Sequence, residues 1–277
     1  MSDILSLPRA SRKTVEKFIH RLEFWLRVPG NERDYFWEMD NPGRPYSFTA
    51  SDVVKFTKAN CLAATAASND ELLKEFKKKL QTDGDMSTTS PPDGMRLVHL
   101  MHEYIVWIDR IFFFGLITRP IKREGRLVAQ RPIVKLKFKD GLNDGKNDLH
   151  GVFVYHAGEL WLNTLQVSCE FQSFDAMLCI LMHELVHIYL HVLTRDQSAA
   201  NYLRDVFQNH GHGVQFHELL KFILAQLSMW MPTMTALGEL TSTSEDLRAA
   251  LAEPSVSDTV ARLLIRTEVS SNFENRT

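Results

Sequence analysis

Cysteine is scarce: Cys61, Cys169 and Cys179 are the only three in 277 residues. They form no CxxC pair and leave an odd count, which excludes a cysteine-ligated zinc ribbon and argues against a secreted disulfide scaffold. An excess of one charge is missing too. Lys and Arg total 32 against 34 Asp and Glu, for a formal net charge of −2, so any contact with nucleic acid needs a local patch rather than a basic protein. Long apolar runs are absent. The stretch around Ile105 to Ile117 carries Asp109 and Arg110 inside it, and nothing reaches the roughly 18 uninterrupted apolar residues of a membrane-spanning helix. The opening MSDILSLPRASRK has no apolar core of a secretory signal. These absences lead us to expect a soluble protein of the nucleus or cytoplasm, with no membrane partner. The 44% of hydrophobic residues is enough for one sizeable core with extensions.

The N-terminal part reads as helical. Val15, Phe18, Ile19, Leu22 and Leu26 recur at helical spacing within residues 10–28, Ser51-Asp52 offers a helix start, and apolar positions continue to Leu80. Lys77 to Lys79 reads as a solvated helix end. The small, polar stretch 82–94, with its Pro-Pro, predicts a linker and a boundary. Beyond it the pattern predicts an aromatic-rich helix from Leu97 to Phe114, then a strand in which Val134, Leu136 and Phe138 alternate with Lys135, Lys137 and Lys139. A loop over 141–148 and two more strands, GVFVYH and ELWLN, come next. Ser173 is placed to cap a long apolar helix, and another runs from about Gly213 to Trp230 with Phe216, Leu220, Ile223 and Leu227 on one face. The organisation is α+β: a helical extension and linker over 1–94, a central domain over 95–232 and a tail over 233–277.

The long apolar helix contains His183-Glu184-Leu185-Val186-His187. Residues four apart share a helix face at about 5–6 Å between Cβ atoms, so two imidazoles there can converge on one ion. Glu184 stands about 100° round the helix from His183, off the ligand face but within reach of a water on the metal. Zinc acidifies such a water, and the carboxylate can take its proton as it attacks a carbonyl. A catalytic zinc needs a third protein ligand and an open fourth position. Leu190 and Leu193 stand where a metzincin would have Gly and His. His191 lies two turns, about 11 Å, from His183, which suits a neighbouring role rather than ligation. The cluster His210, His212 and His217 remains. Cys179, one turn before His183, reads as a small buried hydrophobe.

HELVH followed by Gly211-His212-Gly213-x-x-Phe216 resembles the SprT-like metalloproteases, a family that includes a protease of DNA–protein crosslinks. IDRIFFFG (108–115) is similar to that family's aromatic helix end, and GELWLN (158–163) to its glycine-containing strand. The resemblance spans about residues 95–232. It implies a zincin-like fold with a small β-sheet and an active-site helix, with Zn2+ held by His183, His187 and His212. It also implies Glu184 as general base and a peptide or protein substrate. The stretch from His187 to His212 is longer than the family's compact loop, which predicts an extra helical turn over Asn201 to Phe207. No cysteine-based finger follows the domain. Flanking glycines would let the chain turn tightly at His212.

Two weaker signals complete the reading. Between Arg119 and Lys139 the only acid is Glu124, so Lys135, Lys137 and Lys139 are candidate phosphate contacts for DNA. Tyr202, His210 and His217 are candidates for stabilising the negative charge that develops on the attacked carbonyl. Against the peptidase stand two alternatives: a non-catalytic zinc-stabilised binding module, and an HExxH hydrolase acting on a non-peptide substrate.

Overall fold

The computed structural model describes residues 12–25, 48–65, 70–89, 94–119, 121–123, 126–129, 134–142, 150–154, 158–164, 174–194 and 212–231. The architecture is mixed, mostly helical, with a small sheet. In chain order the elements are α1 (Arg12–Trp25), α2 (Ala50–Asn60), α3 (Leu62–Thr65), α4 (Glu71–Thr89), α5 (Gly94–Phe112), β1 (Ile121–Arg123), β2 (Arg126–Ala129), β3 (Lys135–Lys139), β4 (Gly151–Val154), β5 (Glu159–Asn163), α6 (Phe174–Leu193) and α7 (Val214–Trp230).

Helix α2 starts earlier than Ser51-Asp52 suggests. Its N-cap is Thr49, whose hydroxyl accepts from the Asp52 backbone N–H at 3.1 Å while the Asp52 carboxylate accepts from the Thr49 N–H at 3.3 Å. This reciprocal pair satisfies two donors that would otherwise be orphaned at the helix start.

The expected linker is largely helix. Helix α4 runs through 82–89, and its Asp83 is buried and accepts a hydrogen bond from the Tyr104 hydroxyl on α5 at 2.9 Å. Gly84 lies directly against Met231 at the end of α7. The stretch is part of a helix with one face buried: Asp83 and Gly84 are buried against neighbours while Thr82, Asp85 and Met86 are exposed. The lysine run sits within α4 rather than at its end, with Lys78 exposed and Lys77 and Lys79 half-buried. Lys79 pairs with Asp83 at 3.0 Å and Glu103 at 2.6 Å, and the Lys77 ammonium stands over the Trp230 ring at 4.8 Å. One hydrophobic core extends across the expected boundary, from Val53, Val54, Phe76 and Leu80 to Ile108, Leu185 and Leu220.

The end of α5 shows why IDRIFFFG has its composition. The buried Asp109 carboxylate accepts from the backbone N–H of Ile117 and from both the N–H and the hydroxyl of Thr118, at 2.6–3.1 Å. Burial pushes its carboxyl up to about 6, opposed by these donors and then by the Arg119 charge. Phe114 and Gly115 take left-handed torsions, with φ of 60° and 69°. A helix end locked in this way reverses the chain towards the strands.

Strand order in the three-stranded sheet is β3-β5-β4, with β3 parallel and β4 antiparallel to β5. The alternation read from the sequence holds. Val134 and Leu136 are buried and Phe138 is half-buried, while Lys135 and Lys139 are exposed. A second, antiparallel pair, β1 with β2, was not legible as strands, because charged residues interrupt its apolar pattern.

Among the described residues, helix α6 touches α2, α4, α5 and α7 and the strands β4 and β5, and it is apolar nearly all round, as a helix buried on every side must be. Among the described residues, one helix, Phe174–Leu193, is apolar along its length. It is long and apolar enough to span a membrane by composition, yet 83% of its most apolar window lies inside the protein. Ser173, the turn over 201–207, most of the 141–148 loop and the 233–277 tail lie outside the described residues.

Candidate metal centre

His183 and His187 project from the same face of α6, with ring centroids 4.7 Å apart. His212 reaches them from the residue before Gly213, the N-cap of α7. The three Nε2 atoms form a nearly equilateral triangle: 3.1 Å from His183 to His187, 3.2 Å from His187 to His212 and 3.2 Å from His212 to His183. An imidazole Nε2 either donates a proton or offers a lone pair, never both. Three mutual contacts therefore cannot all be hydrogen bonds, and at least one pair sets like against like. A cation at the point of convergence removes the conflict. Three nitrogens bound to one tetrahedral zinc at about 2.0–2.1 Å stand about 3.3–3.4 Å apart, close to the observed spacing. The three histidines lie close enough together to hold a metal ion.

Burial, and then the neighbouring histidines, holds His183 and His187 well below the ordinary histidine range. Both rings are accordingly neutral at pH 7, the form in which an imidazole binds metal. His150 and His217 add to the effect on His183. The rings are also fixed mechanically. Phe216 stacks on His187 with centroids 4.2 Å apart and meets His183 and His212 edge-on at 5.0 and 4.8 Å. The aromatic residue of the GHGxxF pattern is thus a common wall for all three imidazoles. Gly213 has φ −65° and ψ 172°, torsions open to any residue, so the turn expected of the glycines does not come from its backbone. Gly211 lies outside the described residues.

Glu184 is 1% exposed, and its Oε2 has no hydrogen-bond partner among the described residues. Burial alone pushes its carboxyl up to about 8. A divalent cation alongside would favour the carboxylate and pull that value down. The glutamate that sequence spacing placed off the ligand face is buried, one residue from His183 on the same helix.

Other expectations divide. His191 is buried on α6 but does not join the triad. Cys179 is buried and its thiol is pushed up by burial and then by Asp175, which keeps it protonated and inert. His217 stays near the centre, half-buried with its ring 6.1 Å from that of His212, whereas Tyr202 and His210 lie outside the described residues. Of the lysines on β3, Lys137 is committed elsewhere: its ammonium pairs with Glu159 at 2.6 Å and stands over the Trp161 ring at 5.2 Å. Lys139 faces the same ring at 5.8 Å.

Two neighbours of the site escaped the sequence reading. Gly151, the first residue of β4, faces Glu184, and a Cβ there would lie 2.9 Å from the Glu184 Cγ. His150 precedes it. The available signal was the glycine itself, since a glycine opening a strand pattern marks close approach of another element. Compared with protein-family models, curated proteins and solved structures, the chain matches none of them.

Proposed function

We propose that the chain is a zinc-dependent endopeptidase of the SprT-like kind with a zincin-like fold, acting on peptide bonds of intracellular proteins. The observation that carries this reading is the pairing of the Nε2 triangle with a buried carboxylate one residue from the first ligand. His183, His187 and His212 would hold the ion. When bound, zinc supplies Lewis acidity, polarising a carbonyl and acidifying water. Glu184 takes the proton of the attacking water and passes it on to the leaving amine. Phe216 keeps the imidazoles in register, and the low polarity around Glu184 strengthens each electrostatic interaction made there. His217 is the described candidate for stabilising the carbonyl oxygen.

A purely structural zinc site is disfavoured by Glu184. A carboxylate buried without a hydrogen-bond partner costs stability, and a fold that needed the metal only as a staple would be better served by leucine at 184. The direct test is incubation of zinc-loaded protein with unfolded, histone-like substrates and with non-peptide esters, with and without a chelator. Chelator-sensitive cleavage of the proteins is the expected result. Ester turnover without proteolysis would favour the non-peptide hydrolase, and no turnover of either would favour the binding module.

DNA-associated substrates are the narrower form of the proposal, resting on Lys135, Lys137 and Lys139. Removing one lysine–phosphate interaction lowers the slope of log affinity against log salt by about 0.7–0.9. Because Lys137 is already paired with Glu159, Lys137→Ala alone should change that slope least, and the triple alanine variant should flatten it by the contribution of Lys135 and Lys139. Titrations at several salt concentrations measure this. Wild-type protein without salt-sensitive DNA binding at low ionic strength would remove DNA from the account and leave a general peptidase.

A further inference from the structure

We propose that Gly151 is a positioning residue for Glu184: the side chain it lacks is the room that the Glu184 side chain occupies. The inference rests on the reading of Glu184 as the base. Strand β4 lies at an edge of the three-stranded sheet and packs on α6, and its first residue, Gly151, lies against Glu184 and Ile180. A Cβ there would stand 2.9 Å from the Glu184 Cγ, 3.2 Å from its Oε1 and 3.1 Å from the Ile180 Cγ2. A Cβ essentially never comes within 3.0 Å of a non-bonded heavy atom, so something must shift, and the side chain in the way is that of Glu184.

Torsion does not explain this glycine. The positive-φ glycines among the described residues are Gly115, Gly141 and Gly158, and Gly151 is not one of them. A glycine in a strand gives up packing and adds unfolded-state entropy, so its presence in an extended, buried position points to the space it leaves. Hydrogen bonding to Oε2 does not hold the carboxylate in place either, because that oxygen has no partner among the described residues. Shape is then what sets the Glu184 conformation, and Gly151 forms one wall of that shape.

The test compares Gly151→Ala in two backgrounds, the otherwise native chain and Glu184→Ala, in which Cγ and the carboxylate are gone. Activity and thermal midpoint are both measured on zinc-loaded protein. With Glu184 present, Gly151→Ala should lower kcat by about 10²-fold, the loss typical of a displacement near 1 Å, with KM and zinc content unchanged. It should also lower Tm, and that drop should largely vanish in the Glu184→Ala background. A variant that folds only when Glu184 is absent supports the inference equally. Wild-type kcat in Gly151→Ala, or the same loss of Tm or of folding in both backgrounds, would overturn it and leave the metal site untouched. Should the native chain hydrolyse nothing, the peptidase reading fails, and the difference in Tm between backgrounds alone decides whether Gly151 seats Glu184.

Discussion

Replacing Glu184 with glutamine should abolish hydrolysis while the protein keeps its fold and its metal. The amide is nearly isosteric with the carboxyl, so the packing against Gly151 survives. What disappears is the capacity to accept a proton. General-base catalysis of this kind contributes about 10²–10⁴-fold, and the residual rate should fall by at least that much. The fold should gain if anything, since a buried neutral amide is easier to desolvate than a carboxylate. Zinc content measured beside the rate separates the possible roles. Loss of metal together with activity would mean that Glu184 is a ligand, and undiminished hydrolysis would mean that some other group takes the proton.

A chain beginning at Met95 should fail to fold, even though the sequence places the start of the catalytic domain there. Val53, Val54 and Phe76 are fully buried in the same core as the α6 side chains, and Leu73 and Leu80 join them. Burying each such side chain stabilises a protein by about 1.5–3 kcal/mol, so five of them match the whole net stability of a typical domain, roughly 5–15 kcal/mol. Polar ties would go as well. The Thr57 hydroxyl and the Tyr189 hydroxyl are hydrogen-bonded at 2.9 Å in the core, two residues beyond His187, and Lys58 pairs with Glu218 on α7 at 3.2 Å. The N-terminal helices therefore brace the helices that carry the histidine triad. Circular dichroism during heating checks this: the truncated chain should show no cooperative transition, and a native-like Tm would restore the boundary at 94.

The convergence of the three histidines was more legible than the domain plan, for a physical reason. Two histidines four apart on an apolar helix converge through local geometry alone, so spacing sufficed for His183 and His187. His212 is 25 residues further on, and its approach depends on tertiary packing that no periodicity encodes; a motif resemblance singled it out from His210 and His217. The linker expectation failed because composition is blind to partners. Asp83 looks like a loop residue until Tyr104 and Lys79 are seen to satisfy it. Gly84 looks like a breaker until Met231 is found against it. Strands β1 and β2 were hidden by their charge. Gly151 was visible only as a glycine, and its meaning required the helix beneath it.

The central claim is that three histidines hold one zinc ion, and metal analysis of His212→Ala beside the unaltered chain tests it most directly. His212 is the informative ligand because it comes from outside α6, so its loss leaves that helix and the HELVH pair unchanged in sequence. Purified protein reconstituted with zinc and dialysed should retain about one ion per chain, and His212→Ala should retain far less under the same conditions while remaining folded. Equal zinc in both would contradict the triad and return the third position to another residue.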